Sequence, residues 1–120
     1  QHGFAILIDA HSIKSQVPRF FEGQLPDINI GTNSGESCSA EFTDKFESVL
    51  NAQNYYSYVF NGRFKGGYIT RNYGKPKNNI HAIQIELSQI NYMDEDNNRF
   101  VIEKAEHLKT LLIRMVNSLC

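Results

Sequence analysis

The sequence lacks a long apolar run, a basic tract and a cysteine framework. Because no run approaches the roughly 20 apolar residues of a membrane-spanning helix, we expect no membrane partner. With a net charge of −1 and no cluster of basic residues, nothing indicates nucleic-acid binding. The two cysteines, Cys38 and Cys120, show neither disulfide nor metal-site spacing, which favours a reducing, cytoplasmic setting.

The first residues lack the features of a secretion signal. Residues 1–12 contain no charged segment followed by a cleavage site. They also lack an initiator methionine and lead almost directly into an apolar stretch, which predicts a piece of a longer protein or a processed chain. The 120 residues, of which 41% are hydrophobic and 21% charged, fit one globular domain.

What is present is organised around residues 4–12, where apolar, partly β-branched residues give way to polar ones after Ile8. The length and composition predict a buried strand that ends near Ile8, with His11 just beyond it. Two later apolar stretches also end in polar residues, at Asn61 and at Glu86. Ligands of open α/β sheets bind beyond the carboxyl ends of strands, so we expect these three ends to converge.

The remaining elements follow from periodicity and composition. We predict an irregular active-site loop at residues 12–37, a helix at 40–53 and a strand at 55–60. A glycine-rich polar segment at 61–74 is followed by a strand at 81–87 and a terminal helix at roughly 101–119. Ser37 or Ser39 is expected to cap the first helix. In the last strand, Gln84 and Glu86 should face away from the apolar residues. Alternating strands and helices predict an α/β fold with a mixed, mostly parallel sheet covered by helices.

His11 permits two interpretations. It can be a histidine that hydrogen bonds satisfy at a strand end, with Asp9 or Ser12 as partner, or it can bind zinc. A catalytic zinc ion usually takes three protein ligands plus water. No other histidine forms an HExxH-like pair with His11. Further zinc ligands would therefore have to come from a part of the protein outside this sequence.

Glu86 and two arginines are the other charged candidates. A carboxylate in an apolar strand is expensive to bury, which predicts either an ion pair with an arginine or a general base. Arg63 and Arg71 lie in the glycine-rich segment, where no nucleotide-binding pattern is present. Their planar donors suit the recognition of carboxylates, and solvated surface charge is the alternative.

A serine or cysteine hydrolase is a third, weaker interpretation. Ser12 and His11 are adjacent in the chain, so their side chains should point apart in a strand. No G-x-S-x-G turn is present. Cys38 precedes a helix, which could lower the pKa of its thiol, but a buried and inert cysteine is the preferred interpretation.

Several motifs, taken together and in this order, resemble the N-formylglutamate amidohydrolase family. They are Asp9-Ala-His-Ser12, Val17-Pro-Arg19, Leu25-Pro-Asp27, Asn29-Ile-Gly-Thr32, Asn61-Gly-Arg-Phe-Lys-Gly-Gly-Tyr-Ile-Thr-Arg71 and Gln84-Ile-Glu-Leu-Ser-Gln89, and they span roughly residues 6–95. The resemblance implies a sheet similar to that of the zinc carboxypeptidases, with a phosphorylase/hydrolase-like fold. Residues 1–120 would be the C-terminal part of a single amidohydrolase domain, and the fold would be incomplete.

The resemblance also implies roles for individual residues. His11 matches the last zinc ligand and Glu86 the general base, while Arg63, Arg71 and Asn61 are expected to bind substrate. The implied reaction is the zinc-dependent hydrolysis of N-formyl-L-glutamate, a small N-acyl amino acid, to formate and L-glutamate in histidine degradation. The family's first half, which should hold the other zinc ligands, is absent here. The alternative is a non-catalytic remnant or a carboxylate-binding module that retains this half of the fold.

Overall fold

A computed structural model describes residues 3–120 of the chain. Its strands and helices, in chain order, are β1 (Ala5–Ile13), β2 (Ile28–Gly31), α1 (Ala40–Asn51), β3 (Tyr58–Phe60), α2 (Tyr68–Tyr73), β4 (Ile80–Ser88), β5 (Met93–Asp94), β6 (Arg99–Phe100) and α3 (Ile102–Ser118). Short 3-10 helices follow α2 at Pro76–Asn78 and β4 at Gln89–Asn91. Within the described residues, none of the helices has both the length and the apolar character needed to cross a bilayer.

Four strands form the main sheet, in the order β1–β4–β2–β3. β1 pairs in parallel with β4, and β2 pairs in parallel with β3, whereas β4 and β2 are antiparallel. The sheet is therefore mixed and mostly parallel, which confirms the prediction from sequence. β5 and β6 form a separate two-stranded ribbon immediately before α3.

The hydrophobic core lies on one face of this sheet, beneath α1 and α3. It combines buried residues of β2, β4 and the two helices with Leu119, which follows α3: Ile28, Ile30, Ile83, Ile85, Phe42, Phe46, Leu50, Leu108, Leu111, Met115 and Leu119. Helical spacing predicts that Phe42, Phe46, Val49 and Leu50 form the buried stripe of α1, and this is confirmed, with Val49 half-buried. For the last helix, the spacing predicts a stripe of Val101, Ala105, Leu108, Leu112, Met115 and Leu119. Leu111 lies outside that stripe but is buried, and Leu112 is only half-buried. Each fully buried aliphatic or aromatic side chain contributes about 1.5–3 kcal/mol to folding.

The first strand differs from its prediction in position and length. β1 lies at the edge of the sheet, and within residues 3–120 no strand pairs with its outer side. Its side chains are half-buried or exposed, and Leu7 is 39% exposed. The strand continues to Ile13, so that His11 lies inside it rather than beyond its end. An apolar run does not reveal whether a strand is central or at an edge, which explains the error.

Two short elements are missing from the prediction. The predicted irregular loop contains β2, a four-residue strand that is buried at every position near the middle of the sheet. The glycine-rich segment contains α2, a helix of six residues. Elements of four to six residues are too short to show a period, so composition dominated the prediction. β3 also begins at Tyr58 rather than at residue 55.

A buried histidine, rather than a serine, stabilises the start of α1. Ser39 occupies the N-cap position, but its side chain makes no capping hydrogen bond. Its backbone N–H instead donates to Nδ1 of His81 at 3.1 Å, and Ser37 donates its hydroxyl to Ala82 O. Burial lowers the pKa of His81 below its ordinary value of 6.5, while the nearby Glu41 acts in the opposite direction. A neutral imidazole is therefore the acceptor at the helix start.

We expect His81→Gln to reduce the pH dependence of stability. Native His81 binds a proton more weakly than unfolded histidine, so its contribution to the free energy of unfolding is lost as the pH falls through 6.5. Urea unfolding followed by circular dichroism, from about pH 7.5 to about pH 5, should show a smaller loss in the variant than in the wild type. Lys109→Gln, a change at an exposed residue of α3, is the control. Parallel curves for wild type and His81→Gln would contradict the expectation.

Candidate functional site

The register between β1 and β4 creates a patch of polar side chains on the face of the sheet opposite the core. His11 pairs with Glu86, and Asp9 pairs with Gln84. Because paired residues of parallel strands project to the same side, these four side chains form one group, called here the polar patch. Ile83 and Ile85 point into the core instead. The predicted alternation of β4 is confirmed, and His11 and Glu86 are neighbours as expected.

His11 is held by a carboxylate within the polar patch. Its Nε2 lies 2.8 Å from Oδ1 of Asp9, and the two side chains are 48% and 11% exposed. In a neutral imidazole this hydrogen bond places the proton on Nε2 and leaves a lone pair on Nδ1. A carboxylate that fixes one ring nitrogen is typical of histidines that bind metal through the other. The first interpretation, a hydrogen-bonded histidine, and the second, a zinc ligand, are thus compatible.

Glu86 is the most deeply buried carboxylate of the polar patch, with 7% of its surface exposed. Burial raises its pKa above the ordinary value, the nearby His11 lowers it, and Asp9 raises it again. No arginine among residues 3–120 forms an ion pair with Glu86, so the structure does not show the predicted ion-pair alternative. Its raised pKa means that Glu86 binds a proton more tightly than a solvated carboxylate does, a property that suits a proton acceptor.

The glycine-rich segment reaches the polar patch through Gly67, just before α2. The N–H of Gly67 donates to Oε1 of Gln84 at 2.7 Å, and Nε of Arg71 donates to Gly67 O at 3.3 Å. The preceding Gly66 has φ +120°, a conformation that few other residues adopt. A Cβ there would also lie 2.9 Å from Cγ2 of Thr70. The turn therefore brings a backbone donor to the patch.

The predicted convergence of three strand ends is wrong for Asn61. β3 pairs in parallel with β2, which is antiparallel to β4, so β3 ends toward the opposite end of the sheet from Glu86. Oδ1 of Asn61 accepts the N–H groups of Thr32 and Ser34, and Nδ2 donates to Thr32 Oγ1. The side chain thus holds the turn after β2. Sequence alone does not show strand direction, and substrate binding by Asn61 stays a prediction.

Both predicted arginines are exposed to solvent. Arg63 lies in the turn before α2 and Arg71 near the end of that helix. Arg71 is tied to the polar patch through the Gly67 contact. Both side chains are exposed and could meet a ligand from solution. Their roles in substrate binding stay predictions.

Two buried residues around Glu86 were given no role in the site by the sequence analysis. Gln84 places Nε2 3.5 Å from Oε2 of Glu86. Asn29 of β2 lies directly across from Glu86 and donates its amide to the backbone oxygens of Pro26 and Glu86. Its Oδ1 is buried and has no hydrogen-bond partner. The sequence could have placed Gln84 in the site, because it lies two residues before Glu86 and alternate residues of a strand share a face.

The other nucleophiles do not form a site with His11. Ser12 points to the opposite side of β1 from His11, and its Oγ lies 2.7 Å from the hydroxyl of Tyr92. Cys38 is buried, and burial raises the pKa of its thiol. A raised thiol pKa lowers the thiolate population, so Cys38 lacks the environment of a reactive cysteine. The structure thus favours the preferred interpretation of an inert cysteine.

The polar patch fits part of a zinc site. Among residues 3–120, no three His, Cys, Asp or Glu side chains gather where they could hold one metal ion. His11 offers an oriented imidazole, and Glu86 lies beside it. A catalytic zinc site needs about three protein ligands. The described residues therefore supply one suitable nitrogen ligand and a neighbouring carboxylate toward such a site.

Comparison with known proteins identifies the family. Residues 1–93 match the family model described as N-formylglutamate amidohydrolase. N-formylglutamate deformylases of Pseudomonas aeruginosa and Pseudomonas putida are 55% and 52% identical over 95 residues. Each alignment covers 79% of this chain and 36% of the relative. The chain belongs to the N-formylglutamate amidohydrolase family, and it spans about a third of the length of these curated relatives.

A solved structure supports the same fold. The crystal structure of N-formylglutamate amidohydrolase from Ralstonia eutropha JMP134 matches with a TM-score of 0.75 at 22% sequence identity. The match covers 92% of this chain and 40% of that one. At this identity the comparison establishes the shared arrangement of strands and helices, which is the mixed α/β sheet described above.

We expect Glu86→Gln to stabilise the chain near neutral pH when a chelator is present. For an acid with a raised native pKa, stability is lost as the pH rises through that pKa, because the charged form is buried. The neutral amide removes this penalty, so the free energy of unfolding at about pH 7 should rise by about 0.5–2 kcal/mol. Near the ordinary pKa of 4.5 the two proteins should differ little.

Urea unfolding with EDTA at both pH values measures this difference. Glu47→Gln, which neutralises an exposed glutamate of α1, is the matched control. A lower stability of Glu86→Gln at neutral pH would show that the native contacts of the carboxylate outweigh the effect of burial.

Proposed function

We propose that this chain is the C-terminal part of an N-formylglutamate deformylase, an enzyme that hydrolyses N-formyl-L-glutamate to formate and L-glutamate with one zinc ion. The observation that carries the proposal is the pairing of His11 with Glu86 on one face of the sheet. Family membership and the names of the Pseudomonas relatives support the substrate. Because the chain spans 36% of those relatives, we expect the remaining zinc ligands outside this sequence.

His11 is the proposed zinc ligand. The hydrogen bond to Asp9 orients the ring and directs the lone pair of Nδ1 away from that carboxylate. A bound zinc ion would polarise the formyl carbonyl group and lower the pKa of a coordinated water molecule. The relationship to zinc carboxypeptidases, the place in histidine degradation and a cytoplasmic location stay predictions from the resemblance.

Glu86 is the proposed general base. As the water oxygen forms its bond to the formyl carbon, Glu86 accepts one proton from that water molecule. The carboxylic acid then gives this proton to the amide nitrogen as the carbon–nitrogen bond breaks. The products are formate and L-glutamate, whose amino group is now free. The burial that raises the pKa of Glu86 makes it a stronger base than a solvated carboxylate.

The glycine-rich segment is the proposed recognition element for the substrate carboxylates. N-formyl-L-glutamate carries two carboxylates, and an arginine can donate two parallel hydrogen bonds to each. Arg71 is the stronger candidate because its contact with Gly67 ties it to the polar patch. Arg63 is the second candidate, and Asn61 would act by holding the neighbouring turn.

A non-catalytic remnant, or a carboxylate-binding module, is the alternative function. It is favoured by the absence of a three-ligand metal group among residues 3–120. Because the first proposal expects further zinc ligands outside this sequence, the zinc content of the longer protein that it implies separates the two proposals. Near-stoichiometric zinc in that protein would favour an enzyme, while a protein free of zinc that still binds glutamate derivatives would favour the module.

We expect Glu86→Gln and His11→Ala to separate catalysis from metal binding in a preparation with deformylase activity. Glu86→Gln should keep zinc and lose about 10²–10⁴-fold in kcat, because the amide cannot accept the proton. His11→Ala should lower the zinc content, because one of about three ligands is lost.

Zinc and kcat are measured on the same samples, with folding checked by circular dichroism. His107→Ala, a change at an exposed histidine of α3, is the control and should alter neither quantity. Loss of zinc from Glu86→Gln with retention in His11→Ala would mean that ligand and base are exchanged. Unchanged zinc and kcat in both variants would place the site elsewhere.

We expect Arg71→Lys and Arg63→Lys to discriminate between substrates. Lysine keeps the charge but loses the planar pair of donors that matches a carboxylate. The loss in kcat/KM should therefore be larger for N-formylglutamate than for an uncharged analogue such as N-formylglutamine amide. Arg114→Lys, on the exposed side of α3, is the control. Equal losses on both substrates would rule out carboxylate recognition by these arginines.

A further inference from the structure

Three hydrogen bonds run in series from the surface to Glu86. Nε of Arg71 donates to Gly67 O at 3.3 Å, and the N–H of Gly67 donates to Oε1 of Gln84 at 2.7 Å. Nε2 of Gln84 then donates to Oε2 of Glu86 at 3.5 Å. The series joins an exposed arginine of α2 to a buried carboxylate of β4. The side chain of Gln84 links the glycine-rich segment to Glu86 of β4.

The orientation of the Gln84 amide follows from its partners. The backbone N–H of Gly67 can only donate, so the oxygen of the Gln84 side chain must face it. The amide nitrogen consequently faces Glu86, which can accept as a carboxylate. Gln84 is itself 5% exposed, so neither end of the amide exchanges freely with solvent. Gln84 and Glu86 also project from the same face of one strand, which fixes their relative position.

We propose that Gln84 is a positioning residue that holds the carboxylate of Glu86 and couples it to the glycine-rich turn carrying Arg71. The inference rests on the proposed function, because it takes Glu86 to be the general base. A donor on Oε2 leaves Oε1 to accept the proton from water. A carboxylate group bound at Arg71 would affect the position of Gly67. Through the hydrogen bonds of Gln84, it would then affect the position of the Glu86 carboxylate. Substrate binding at the surface of α2 would thus contribute to the rate of the chemical step as well as to the affinity for substrate.

Two substitutions at Gln84 separate the contact with Glu86 from the contact with Gly67. Gln84→Met has a similar length but loses both hydrogen bonds. Gln84→Glu keeps an oxygen for the N–H of Gly67 and replaces the donor toward Glu86 by a second acceptor. If Gln84 positions the base, both variants lower kcat by about 10–100-fold with little change in KM, the usual size of such supporting contacts.

Steady-state kinetics on a preparation with deformylase activity measures this effect. Asn117→Asp, the same change from amide to carboxylate at an exposed residue of α3, is the control and should leave both constants unchanged. Wild-type kcat in Gln84→Glu, with a loss only in Gln84→Met, would overturn the proposal, since Gln84 would then serve the turn alone. A rise in KM with unchanged kcat in both variants would overturn it as well.

A second measurement on the 120-residue chain tests the contacts independently of activity. In NMR spectra of labelled chain, Glu86→Gln should shift the side-chain NH2 signals of Gln84. Gln84→Met should accelerate hydrogen exchange at the Gly67 amide, whereas Gln84→Glu should preserve its protection. Unshifted NH2 signals in Glu86→Gln would overturn the proposal even if the protein is a deformylase. Shifted signals in a chain that belongs to an inactive protein would support the contact and count against the proposed function instead.

Discussion

The parallel pairing of β1 with β4 sets the geometry on which the candidate site depends. Its register places His11 beside Glu86 and Asp9 beside Gln84, and the alternation of both strands sends these four side chains to one face. The same alternation sends Ile83 and Ile85 into the core under α1 and α3. Core and site are therefore two consequences of one register. A shift by one residue would exchange the faces of β1 and remove His11 from Glu86.

The environment of Glu86 explains how a carboxylate in a central strand can be chemically useful. Burial disfavours its charge and raises its pKa, the imidazole of His11 acts in the opposite direction, and Asp9 raises the pKa further. A pKa raised by burial is the property expected of the proposed general base, which must take and return a proton. Burial of Glu86 is expected both to lower the stability of the fold and to increase the basicity of the carboxylate. This position therefore illustrates the usual conflict between stability and function.

The sequence predicted the features that depend on periodicity. The helical repeats of α1 and α3 and the alternation of β4 identified the core, and the polar ends of two strands identified His11 and Glu86. The order and direction of strands leave no mark in a single sequence, so the position of Asn61 could not be predicted. β2 and α2 are too short to show a period. Gln84 was predicted to share a face with Glu86 but was given no role, because a polar residue on the polar face of an alternating strand is the ordinary pattern.

The edge position of β1 has a consequence for how the site is enclosed. Along nine residues, the outer N–H and C=O groups of this strand have no partner strand among residues 3–120. Such an edge is a template on which another strand can extend the sheet. Any strand added there would lie immediately beside Asp9 and His11 and would form one wall of the site. A continued sheet and the proposed zinc site would therefore meet on the same strand.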